Sequence, residues 1–339
     1  MDRLLLSAEE TSAIHALLDS IAARHASAEA PDFLDNTALY AHDLPHRVRA
    51  FLSNFKMRES SAACVISGYP IDDAKIGQTP SHWKDKSPAT RCEEMLFVLY
   101  GSLLGDVFGW STQQDGYIVH DVAPIKGHEH EQINSASEQT IWWHTEDAFH
   151  PYRGDYVALM CLRNSEKAAT TYASIDTLHL DDDTLNVLFE PRFTINPDQS
   201  HVTIYKTMEQ DDTDLVKHWA LDRRDTVTFP SPTKVAVLFG HPRSPYMRLD
   251  PYFMDPLDAD PEAQTALEVL SGEIDAHLSS VVLEPGDCCF IDNYRAVHGR
   301  KPFKARYDGR DRWLKRLNIT RDLRKSRSAR ETSTARVLQ

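Results

Sequence analysis

An α+β chain with a double-stranded β-helix (jelly roll, cupin-like) core and flanking helices is the fold class the sequence predicts. Three observations predict it. Helical periodicity dominates the first third, short strand-like runs predominate after Trp110, and turn residues separate those runs. Many short strands with segregated helices suit a sandwich or barrel under helical cover rather than alternating βα units.

The helical part opens with a capping box, Ser7 and Glu10, ahead of an apolar stripe of Ile14, Leu17, Leu18 and Ile21. Leu44, Val48, Phe51, Leu52 and Phe55 mark a second helix over about 44–55, and a third is expected over about 93–104. A short strand over 63–66 lies between them, followed by a polar loop over 72–88. Beyond Trp110, strands are expected over 117–122, 140–144, 156–162, 169–173, 192–195, 202–205, 226–229, 235–239 and 246–249. A helix over about 261–278 precedes two further strands, 288–292 and 312–320. The charged, poorly periodic 208–225 stretch reads as a long surface loop. Arg/Ser-rich composition after Arg321 predicts a mobile tail, so the chain divides into one domain over 1–325 and a tail over 326–339. Within the domain, 1–109 is mainly helical cover and 110–320 the jelly-roll core.

At 339 residues the chain can bury a large core, and its formal charge of −14 opposes nucleic-acid and anionic-membrane partners. The basic run over 300–330 is the exception, and part of it suits small carboxylates. Five cysteines, Cys64, Cys92, Cys161, Cys288 and Cys289, lack paired spacing, which argues against a disulfide framework and a Cys-type zinc site. The first residues are too short an apolar run for a signal peptide, and no stretch reaches membrane-spanning length, so a cytoplasmic protein is expected.

Chemistry concentrates at Trp142-Trp143-His144-Thr145-Glu146-Asp147. Strand alternation turns His144 and Glu146 to one side, where they can hold two cis positions of a metal. The best third ligand is His298, expected just past the apolar strand that follows the turn over 283–287. Two histidines and one carboxylate leave positions open, the arrangement of non-haem Fe(II) oxygenases. The same triad could hold zinc for hydrolysis or belong to a non-catalytic binding module. Arg312, Leu314 and Arg316 share one strand face, and two inward guanidinium groups would need carboxylate partners, a dicarboxylate cosubstrate and an amino acid among the candidates.

From Ser102 to Ser326 the chain resembles the clavaminate-synthase-like Fe(II)/2-oxoglutarate-dependent oxygenases, most of all the free L-arginine β-hydroxylases of peptide-antibiotic biosynthesis. The resemblance is carried by the 109–116 block (Gly-Trp-Ser-Thr-Gln-Gln-Asp-Gly), the block after His144, the 292–300 block containing His298, and the spacing to Arg312 and Arg316. It implies His144, Glu146 and His298 as iron ligands, and Arg312 with Thr170 on the distal carboxylate of 2-oxoglutarate. It also implies Arg316 on the substrate's α-carboxylate, and Gln113 with Glu146 on its α-ammonium. Asp198 and Asp250 stand where such enzymes face a guanidinium, while Tyr252 replaces a second carboxylate, leaving room for enduracididine, citrulline or lysine beside arginine. The implied reaction is hydroxylation of a methylene, C3, of a free basic L-amino acid with O2 as oxidant and release of succinate and CO2. The 208–225 stretch falls where the family carries a lid, and the resemblance allows a homodimer.

Overall fold

Ser7 begins the first helix as its capping box requires: Ser7 Oγ accepts from Glu10 N at 3.2 Å, and Glu10 Oε2 accepts from Ser7 N at 2.8 Å. The computed structural model describes residues 1–198, 201 and 233–339. Its first part runs β1 (Asp2–Leu5), α1 (Ala8–Ala22), α2 (Pro31–Leu34), α3 (Thr37–Ala41), α4 (His46–Arg58), β2 (Ala63–Ser67), α5 (Asp73–Ile76), α6 (Arg91–Leu104) and β3 (Asp106–Trp110). Then come β4 (His120–Val122), β5 (Ile141–His144), β6 (Tyr156–Arg163), β7 (Ala169–Ser174) and α7 (Asp182–Leu188). The rest holds β8 (Leu238–His241), β9 (Ser244–Met247), α8 (Pro261–Ala276), β10 (Ser279–Val282), β11 (Cys288–Asp292), β12 (Ala296–Arg300), β13 (Trp313–Thr320) and β14 (Val337–Leu338). The expected strands over 202–205 and 226–229 and the 208–225 lid lie outside the described residues.

An eight-stranded sheet has the order β1-β2-β11-β6-β13-β3-β14, with β4 also paired to β13. A four-stranded sheet has the order β10-β7-β12-β5, and β8-β9 form a hairpin. Helices cover the outer face of the large sheet, where Phe97 and Tyr100 of α6 pack with Phe290, Leu317 and Ile319. Val157, Leu159, Cys289, Ile291, Ala296 and Leu314 fill a second apolar cluster on the opposite strand faces. On the small sheet, Trp143 and Val297 pack with Leu270 and Ile274 of α8. Alternation along β5 and β12 therefore turns their neighbours His144 and His298 the other way, inward. Every residue of β6, β11 and β13 is buried, as expected of strands covered on both faces.

Several expectations need correction. The 192–195 run makes only the isolated bridges Phe193–Val235 and Ile195–Met254, because Pro191 and Pro197 flank it and cannot donate to a ladder. His298 lies within β12 rather than beyond a strand. The tail over 326–339 is folded. Arg330, buried, donates to the carbonyls of Leu323 at 3.0 Å and of Ser333 and Ala335 at 2.8 Å. Beyond that hub β14 pairs in parallel with β3, and Leu338 packs with Phe108 and Trp110. Composition suggested disorder, but one buried guanidinium gathers the backbone. Among the described residues no helix is long and apolar enough to cross a membrane.

Asp292 closes β11, and burial pushes its carboxyl up to about 7 while Tyr294 N donates to Oδ1 at 3.0 Å. The unfolded carboxyl titrates near ~3.9, so the stability carried by the protonated form is complete below that pH and is lost as pH rises through about 7. Asp292→Asn keeps the acceptor and removes the charge. Its urea midpoint should exceed that of the parent at pH 8 by the equivalent of about 1–3 kcal/mol, with the gain shrinking toward pH 4. A variant no more stable than the parent at pH 8 would contradict this account.

Candidate metal centre

The register of β5 against β12 sets His144 directly opposite His298. Directly opposed residues share a sheet face, and the two imidazole centroids are 4.7 Å apart. Glu146 follows two residues after His144, just before Asp147 turns the chain at φ 51°. Glu146 Oε2 lies 3.9 Å from His144 Nε2 and 3.2 Å from His298 Nε2. With metal–nitrogen bonds of ~2.1 Å, cis ligand atoms stand roughly 3 Å apart, so the donors already approach that spacing. His144 Nδ1 is 2.8 Å from the Trp142 carbonyl, which fixes the proton there and leaves the Nε2 lone pair facing Glu146. Burial holds His298 below its ordinary pKa, and hence neutral. Burial would raise the Glu146 carboxyl, but Arg316, and after it His298, outweigh that effect and keep it ionised. Burial would lower the His144 pKa, but Asp250 and then Glu146 outweigh it and raise it above its ordinary value. A carboxylate and two imidazoles on one side, with the other side open, fit a ferrous ion, which binds the imidazoles in their neutral form.

Asn293 holds Glu146 in place, a role the sequence reading missed. Its side chain accepts from Glu146 N at 2.7 Å and donates to the carbonyls of Glu146 at 3.0 Å and Gly154 at 2.9 Å. The residue is fully buried. Asn293→Ala should weaken Fe(II) binding about 10- to 100-fold, as loss of a ligand's support does. Metal titration of the folded variant reads this, and an unchanged affinity would remove Asn293 from the site. Asp147 is tied to the 109–116 block: Trp110 Nε1 donates to Oδ2 at 2.6 Å, and the buried His201 Nε2 lies 3.0 Å from Oδ1.

A cavity opens over His144 and Glu146 and is lined by these two, Arg316, Asp198, Asp250 and Tyr252 among others. Asp250 is delivered there because Thr145 N donates to the Leu249 carbonyl at 2.8 Å and Leu249 N to Thr145 Oγ1 at 3.1 Å. Burial pushes the Asp250 carboxyl up to about 6, with His144 opposing and Asp198 adding. Tyr252 is half exposed at the rim. Arg316 donates to Glu146 Oε1 and, at 2.8 Å, to Gln113 Oε1, and its Nη2 also lies 2.8 Å from His120 Nδ1. Arg316, Glu146 and Gln113 are thus one buried group, although Gln113 is not on the cavity wall.

Arg312 and Thr170 are not on that wall either. Thr170 faces Arg300 across β7 and β12, two residues along from the Tyr172–His298 pair, so it shares the inward face of His298. Arg312 is buried, and among the described residues its Nε has no hydrogen-bond partner. Arg300, which the sequence reading passed over, donates to the carbonyls of Ser137 at 3.3 Å and Gln139 at 2.9 Å. Burial lowers Arg312 to about 10, and burial together with Arg312 lowers Arg300 to about 9. Buried guanidinium groups without a carboxylate call for an anion, which a dicarboxylate cosubstrate supplies.

Residues 99–318 match the profile of the Taurine catabolism dioxygenase TauD, TfdA family. The chain belongs to that family. The TauD-family chain is 47% identical to an enduracididine beta-hydroxylase of Streptomyces hygroscopicus, over 99% of each chain. It is 46% identical to an L-ornithine/L-arginine 3-hydroxylase of Catenulispora acidiphila, over 100% of each. Its structure is similar to that of the non-heme iron oxygenase OrfP in complex with Fe, succinate and (3S)-hydroxy-L-Arg, with TM-score 0.89, 41% identity and 100% of both chains covered. This TauD-family member is a non-haem Fe(II)/2-oxoglutarate-dependent dioxygenase, with iron as cofactor and 2-oxoglutarate and O2 as cosubstrates. Its architecture of mixed sheets and helices is that of the family. The readings as zinc hydrolase or as non-catalytic binding module fall away.

Proposed function

We propose that the enzyme hydroxylates C3 of free L-arginine or a close relative of it, enduracididine, citrulline, lysine or ornithine. One observation carries this reading: Asp198 and Asp250, two carboxylates, line the cavity over His144 and Glu146, with Arg316 on the same wall. Burial makes it costly to ionise Asp250 with no counter-ion, and an incoming cationic side chain removes that cost. The named activities of the two relatives and the ligand of OrfP support the same substrate class.

His144, Glu146 and His298 would hold iron, and Arg312 with Thr170 the distal carboxylate of 2-oxoglutarate. Bound iron and 2-oxoglutarate supply the oxidising chemistry that replaces a methylene hydrogen by hydroxyl, with succinate and CO2 as co-products. Arg316 exchanges its contact with Glu146 for the substrate's α-carboxylate, while Gln113 and Glu146 accept from the α-ammonium. Clamping both groups on Cα beside the triad leaves C3 as the nearest methylene. Asp198 and Asp250 pair with the side-chain cation, and Tyr252 at the rim takes the place of a further carboxylate, which favours less strongly cationic relatives of arginine. In this reading the two larger sheets form the double-stranded β-helix of one oxygenase domain, and the protein works in the cytoplasm on a free amino acid, alone or as a homodimer.

The test is anaerobic reconstitution with Fe(II) and 2-oxoglutarate, then oxygen, with arginine, enduracididine, citrulline, lysine, ornithine and asparagine offered in turn. A gain of one oxygen atom coupled to succinate is expected for a basic member. NMR placing that oxygen at C4 or C5 refutes the regiochemistry, and preference for asparagine refutes the substrate class.

A further inference from the structure

His201 is fully buried, and its ring makes T-shaped contacts with Trp110 and Phe149, at 5.5 and 4.9 Å between centroids. Both ring nitrogens meet polar groups around the site. Nδ1 lies 2.6 Å from Thr112 Oγ1, and Nε2 lies 3.0 Å from Asp147 Oδ1 and 3.1 Å from Gln113 Nε2. A carboxylate oxygen of Asp147, one of Asp198 and a ring nitrogen of His201 all lie within 4.8 Å of one another. The backbone N of His201 also donates to the Asp198 carbonyl at 3.2 Å, so the two residues are tied through the main chain as well. The imidazole therefore meets, at once, the residue after Glu146 and a carboxylate of the cavity wall.

Two carboxylates this close repel each other, and the cost rises away from water. An imidazole N–H beside both offsets that repulsion and fixes the direction in which a carboxylate points. The ring itself is held by Trp110, Phe149 and Thr112, none of which lines the cavity. We infer that His201 is a positioning residue, which holds the Asp198 carboxylate in place on the cavity wall for the cationic side chain of the substrate. Asp198 is the carboxylate proposed above to meet that cation, and the role of His201 rests on that reading. Its contact with Gln113 gives the ring a second route to the site, through the α-ammonium, and a double-variant cycle separates the two.

The test titrates L-arginine by calorimetry into anaerobic holoenzyme loaded with Fe(II) and 2-oxoglutarate. Asp198→Asn should weaken binding about tenfold or more, the scale of one hydrogen bond to a charged group. His201→Phe keeps a ring between Trp110 and Phe149, removes both nitrogens, and should weaken binding nearly as much. The double variant should bind no more weakly than Asp198→Asn alone, because the ring acts through that carboxylate, and the affinity for 2-oxoglutarate should hold throughout. Parental arginine affinity in His201→Phe would overturn the role. So would the full His201→Phe loss recurring in the Asp198→Asn background, which would place the effect on Gln113 or on packing. If His201→Phe does not fold, His201→Asn, whose amide can still meet Thr112, is read in the same cycle. No binding by the parent, or binding unmoved by Asp198→Asn, would instead strike the substrate reading of Asp198, and the role of His201 with it.

Discussion

Replacing His298 with alanine is expected to abolish iron binding and turnover together, with activity falling by a factor of at least about 10³. His298 Nε2 is 3.2 Å from Glu146 Oε2 and sits opposite His144 in the β5–β12 pair. Without it one imidazole and one carboxylate remain, too few to fix an ion against water. The fold should survive, because β12 is paired on both edges, to β5 and to β7, and those ladder bonds do not involve the side chain. Metal content after gel filtration, circular dichroism and succinate formation read the three parts separately. A folded His298→Ala protein that keeps stoichiometric iron and turns over would dismantle the proposed triad.

The second large effect is expected at Arg312. Arg312→Gln should raise the 2-oxoglutarate KM about 10²- to 10⁴-fold, the scale of losing two charge-assisted hydrogen bonds of about 1.5–3 kcal/mol each. Arg312→Lys keeps the charge without the fork and should cost less, roughly tenfold. Equilibrium binding of 2-oxoglutarate to the iron-loaded variants separates this from a defect in turnover, and the substrate amino acid's own affinity should stay near that of the parent. A 2-oxoglutarate KM unmoved in Arg312→Gln would assign the distal carboxylate to Arg300 instead.

The triad was legible because its chemistry is local in sequence: His144 and Glu146 are two residues apart, and His298 follows a clear turn and an apolar strand. The strand holding His298 was not legible, because Ala296-Val297-His298-Gly299-Arg300 spends two of its three inward positions on His298 and Arg300, which hides the alternation. Asn293 and Arg300 escaped notice because each serves backbone atoms far along the chain, Glu146 for one, Ser137 and Gln139 for the other. No periodicity or composition announces such bonds. Arg330 misled in the same way. Read as one more charge in an Arg/Ser-rich stretch, it instead gathers four carbonyls and folds the segment. Helix limits were easier, since caps and apolar stripes lie within the helices themselves.

The place of β13 bears on how the protein is made. This strand lies between β6 and β3, yet it is synthesised after both. β6 ends at Arg163 and β13 begins at Trp313, so at about 5–20 residues per second a growing chain waits on the order of 10–30 s with a gap in the sheet. During that interval two apolar strand edges are open to wrong partners, and Arg316 has not yet joined Glu146. The proposed triad, with Arg316 beside it, is therefore complete only when translation is nearly finished. Yield in a heterologous host should then depend on chaperones that shelter the unfinished sheet and on temperature, more than on iron supply.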